Sequence, residues 1–174
     1  MVTMLTISIL LVALYVGAAT WKERELPESI SAMVYLLPEG GWRWLWSVWL
    51  WIVSLLATMP VISILDTRNM AYLGFFTLAC LVFVGAWPLY HPDTKKAHYI
   101  GGTAAGILSQ VCVLIVCPWW LMLWLLMAGV DIAARYAKWF PTWLENKGVL
   151  LAEIVCFTAY VGAAFTKLYL IIGQ

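Results

Sequence analysis

The sequence predicts an all-α fold, a polytopic membrane helix bundle of six transmembrane helices plus a short interfacial helix near residues 27–38. Three observations carry this prediction. The 174 residues are 64% hydrophobic and only 11% charged, against roughly a quarter charged in soluble domains. Mean hydropathy is +0.91, which excludes both a water-soluble globule and a disordered chain. The apolar residues run continuously instead of alternating with polar ones, which excludes a β-barrel. The net charge of +1 leaves no basic face for nucleic acid. Residues 1–174 read as a single transmembrane domain.

A membrane helix needs about 20 apolar residues to cross about 30 Å of hydrocarbon. Six stretches qualify: residues 2–21, 44–65, 70–90, 98–116, 118–136 and 149–172. The charges Lys22 and Arg24 follow the first stretch instead of preceding it, so it reads as a span and not as a cleavable signal peptide. Residues 27–38 are too short to span and are bounded by Pro27 and Pro38. Glu28 and Ser29 suit a first helical turn, giving a short interfacial or re-entrant helix there. Only Cys117-Pro118 separates the fourth stretch from the fifth. One helix over both would be roughly 58 Å long, about twice the membrane, so a tight hairpin is expected.

Orientation follows from the basic residues. Loops one, three and five carry Lys22, Arg24, Arg43, Lys95, Lys96, Arg135, Lys138 and Lys147, eight of the ten; Arg68 and Lys167 lie toward the other side. By the positive-inside rule these loops are cytoplasmic and both termini lie outside. Trp21, Trp42, Trp44, Trp87, Trp139 and Trp143 fall near the same helix ends, where an indole keeps its N–H wet. Trp46, Trp49 and Trp51 run deeper and are expected to pack or to face lipid.

Small residues mark the expected helix contacts. His98, Gly102, Ala105, Gly106 and Ser109 recur on one face of the fourth span, and Ala159, Gly162, Ala163 and Thr166 on the sixth. Such faces let backbones approach closely. The fourth span is therefore expected inside the bundle, against the sixth or the first. The four cysteines, Cys80, Cys112, Cys117 and Cys156, read as apolar filler without a disulfide.

An ionisable group within hydrocarbon costs a few kcal/mol and is a functional candidate by default. His91, His98, Asp131, Arg135 and Glu153 all fall at one membrane depth, although they come from four spans. Loop one adds Ser29 and Ser31 on that side. Arg135 follows Asp131 by four residues and can pair with it on one helix face. Glu153 has no such local partner and is expected to point inward, toward His98, a basic residue or water. A His/Asp/Glu set can bind a metal or relay protons. No H-E-x-x-H or G-x-S-x-G spacing is present, so no metal and no serine nucleophile is assigned.

The string SISAMVY, Ser29 to Tyr35, resembles the motif after the first span of prokaryotic six-span proteins related to the DRAM-like (damage-regulated autophagy modulator) family. The HYIGGTAAG opening of span four, from His98, is similar to a later motif of those proteins. The resemblance implies a polytopic membrane protein and carries over no catalytic residue. The expectation is a small, non-enzymatic protein of the bacterial inner membrane. It would bind lipid or a small molecule, or serve as an accessory subunit. Its partners would be membrane lipids, other membrane proteins or further copies of itself, with no cofactor. A transporter or channel subunit and an intramembrane hydrolase using the cytoplasmic-side cluster are the alternatives.

Overall fold

The computed structural model describes residues 1–37, 42–90, 96–136 and 147–172. These form helices and turns with no strand among them. Helix α1 is Val2–Glu23 and α2 is Arg43–Asp66, with a short 3₁₀ helix, Ser31–Leu36, between them. Then follow α3 (Ala71–Tyr90), α4 (Lys96–Val116), a 3₁₀ turn at Pro118–Leu121, α5 (Met122–Tyr136) and α6 (Gly148–Ile172). Four of these, α1, α2, α4 and α6, are long and apolar enough to cross a membrane; Ala71–Ala86 and Pro118–Ala133 are shorter apolar helices.

The central helix is α2, which touches α1, α3, α4 and α6. Its inner face carries Ala57, Val61, Ile64 and Leu65, packed with Leu5 of α1, Cys112 and Val113 of α4, and Ala159 and Ala164 of α6. All four cysteines are free. The turn from α2 to α3 is a Schellman motif. Met70 N–H donates to the Leu65 carbonyl at 3.0 Å and Asn69 N–H to the Asp66 carbonyl at 3.0 Å. Asn69 occupies the left-handed position (φ 58°), which asparagine tolerates better than most residues.

Between spans, lipid gives no hydrophobic drive to associate, so close packing matters. The glycines of α3 were not singled out from sequence, yet they make the closest approaches to α2. A Cβ on Gly74 would sit 2.5 Å from Ile62, and one on Gly85 would sit 2.6 Å from the Trp51 indole. The α4 face keeps Ala105 and Ser109 buried and packs against α6 as expected, but it is shifted at its start. Gly101, Ala105, Ser109 and Cys112 are buried there, and a Cβ on Gly101 would meet Phe83 of α3 at 2.9 Å. Gly102, expected at a helix contact, has nothing within 4 Å. The correction has a simple cause. Adjacent glycines offer two small faces 100° apart, and α3, with which the sequence pattern was not paired, selects Gly101. Gly106 makes only an ordinary 3.8 Å approach to Cys156 of α6. Gly162 is tightly packed, but against the Trp120 indole and not against a helix backbone.

The chain does reverse at Pro118. Proline disfavours helix in the residue before it, and Cys117 is extended at φ −160°, ψ 88°. A continuous helix would carry residue 124 roughly 21 Å past residue 110. Instead Trp124 Nε1 donates to Gln110 Oε1 at 3.0 Å. Trp120 Nε1 reaches Thr166 Oγ1 of α6 at 3.0 Å. Two indoles thus hold the start of α5 to α4 and α6, while most of its remaining residues are exposed.

Candidate functional site

Glu153 lies in the second turn of α6, half-buried, with its carboxylate turned toward the segment between α1 and α2. One carboxylate oxygen accepts the Ile30 N–H. The other accepts the Ser31 hydroxyl at 3.3 Å. The Ser31 hydroxyl lies 3.1 Å from that of Ser29, which also accepts the Ala32 N–H at 2.9 Å. A first-turn N–H of α6 has no partner within its own helix. That of Leu150 donates to the Glu28 carbonyl at 3.2 Å. The start of α6 thus grips the backbone of residues 28–31 by its own N–H and by Glu153.

This grip explains how irregular backbone can sit inside the bundle. Buried peptide groups need partners, and here α6 and two serines supply them. The 3₁₀ helix that follows buries Met33 and Val34 to 1% exposure. Val34 packs with Trp46 of α2 and Val84 of α3.

His98 belongs to the same end of the molecule. Its ring lies 6.2 Å from that of Trp46, tilted by 43°. Glu153, Ser29 and Ser31 therefore meet directly, and His98 joins them at one remove through Trp46, Val84 and Val34. Glu153 does point inward, as expected, but its partner is loop backbone and serine. Asp131 is half-buried on α5. His91 lies outside the described residues, as does the Arg135 side chain, so the Asp131–Arg135 pair lies outside the described contacts. Among the described residues, no three His, Cys, Asp or Glu side chains come close enough to share a metal ion.

The deeper tryptophans pack. Trp46 is 1% exposed, Trp49 stacks on Tyr15 with centroids 4.3 Å apart, and Trp51 Nε1 donates to the Val82 carbonyl at 3.0 Å. Sequence reasoning missed Met33 and Val34 as buried anchors of the loop. Their signal was present, as an apolar string too short to span the membrane.

Fold and site together define an all-helical bundle whose non-helical segment is fastened by an acid on a distant helix. No protein-family model matches the chain, and comparisons with curated proteins and with solved structures give no match either.

Proposed function

We propose that the chain is a six-span integral membrane protein that acts by binding lipid or a similar apolar small molecule, without catalysis. The single observation that carries this reading is the exposed apolar face at the start of α5, where Trp119, Met122, Leu125 and Leu126 are 55–78% exposed and border a shallow apolar groove. The commitment of both Glu153 oxygens to the 30–31 segment supports a structural role for the acid and speaks against its serving as a catalytic base.

The six-span count rests on adding two shorter units to the four long helices. Helix α3 has 20 residues, about 30 Å of rise. The turn at Pro118 starts α5 back toward α4, with Trp124 bonded to Gln110, and α5 is counted as the fifth span on that basis. With eight basic residues on one side, the odd-numbered loops are cytoplasmic and both termini lie outside, in a bacterial inner membrane. A cytoplasm-active reporter fused after Gln174 should be silent, and one inserted after Lys138 should be active; the opposite pattern overturns the orientation.

The binding reading is tested by purification in a mild detergent and mass spectrometry of co-purifying lipid. The parent should retain lipid, and Leu125→Trp, which fills the groove, should lose most of it while melting like the parent. Parent protein that retains none, or that carries ions across liposomes, overturns the reading. Turnover lost on Glu153→Gln would point to a hydrolase instead.

A further inference from the structure

Hydroxyls on the helices of this protein mostly turn back onto their own backbone. Thr6, Ser8, Thr20, Thr77 and Ser109 each donate to a carbonyl three or four residues earlier, at 2.7–3.1 Å. The hydroxyls of α2 do otherwise. Ser47, Ser54 and Thr58 are 0–2% exposed, and their oxygens have no hydrogen-bond partner. On α6, Tyr160 is 4% exposed and its phenol oxygen has none either. A phenol is too long to bond to its own turn, and Tyr160 faces Thr58 without closing a hydrogen bond to it.

A backbone carbonyl joins them. Pro60 lies within α2 and is fully buried. Its missing N–H leaves the Leu56 carbonyl without the donor a helix would supply. The Ser54 and Thr58 hydroxyls and the Tyr160 phenol therefore lack partners in the apolar interior, and the Leu56 carbonyl lacks its helical donor. Each such group costs about 1–3 kcal/mol if left unsatisfied. Ser54 and Thr58 are one turn apart, about 6 Å of rise, close to the span of two hydrogen bonds of roughly 2.8 Å through one intervening atom. Ala57, Ala163 and Ala164 belong to the same buried core as Tyr160.

We infer that Ser54, Thr58, the Leu56 carbonyl and Tyr160 form a buried site for water that joins α2 to α6. A water molecule both donates and accepts, and takes about three hydrogen bonds when buried. The donor set is neutral and contains no carboxylate to balance a metal ion, which favours water over a cation. The site stands independently of any lipid in the groove beside α5.

Radiolytic footprinting in ¹⁸O-water tests it, because hydroxyl radicals formed from bound water label the side chains that hold it. Tyr160 should be labelled despite its burial, as the exposed Tyr169 is (79% exposed). Thr58→Val and Tyr160→Phe should each lower the melting temperature by roughly 2–4 °C. The double variant should fall no further than either single one, because both lose the same bridge. An unlabelled Tyr160 with a labelled Tyr169 overturns the inference. So do single variants that melt at or above the parent, which is what removal of dry, unpaired hydroxyls would give. A melting temperature raised by sodium chloride but not by choline chloride would place a cation there and also overturn it.

Discussion

Glu153→Ala should unfasten the segment between α1 and α2 and lower the melting temperature. The substitution leaves the Ile30 N–H and the Ser31 hydroxyl without their acceptor. Ordinary hydrogen bonds contribute about 0.5–1.5 kcal/mol each, so losing two should drop the melting temperature by roughly 2–12 °C. Glu153→Gln keeps an acceptor oxygen and should fall by less. Hydrogen exchange gives the local readout. Amides of Ala32 and Met33 should exchange faster in Glu153→Ala, while those of α2 near Val61 change little. Equal protection in both proteins would show that Met33 and Val34 hold the segment unaided.

The second large effect separates two glycines of similar appearance in sequence. Gly162→Leu should be severely destabilising. A Cβ there would lie 2.6–2.7 Å from three atoms of the Trp120 ring, and that ring is held by its bond to Thr166. Overpacking of this kind costs about 1–3 kcal/mol and sometimes more. Gly102→Leu should melt like the parent, because nothing lies within 4 Å of its Cβ position. Thermal melts of both variants in one detergent decide the matter. If Gly102→Leu is the damaged one, the face assigned to α4 is wrong.

The fold class was legible because it depends on quantities summed over many residues: hydropathy, run length and charge. The break at Pro118 was legible because a local rule, proline against helix, met a length limit. Helix rotation was not. Gly101 and Gly102 differ by 100° around α4, and only the position of Phe83 on α3 decides between them. The candidate site was legible in part. An acid without a local basic partner had to find one elsewhere, which marked Glu153. Its actual partner, the Ile30 N–H, is a main-chain group that every non-proline residue carries, so no side-chain pattern distinguishes it. The same holds for the Leu56 carbonyl, although Ser54, Thr58 and Pro60 in one apolar run were visible signs of it.

The bond between Ile30 and Glu153 spans 123 residues of chain. At ribosomal rates, Glu153 is made roughly 6–25 s after Ile30. For that interval the peptide groups of residues 28–31 lack the acceptor and donor that α6 later provides. They must stay hydrated or be shielded by the cell's insertion machinery until then. The hairpin of α2 and α3, closed by a turn of a few residues, carries no such delay. The position of a single acid thus imposes a timetable on biogenesis, in which the first loop to be synthesised is among the last to be seated.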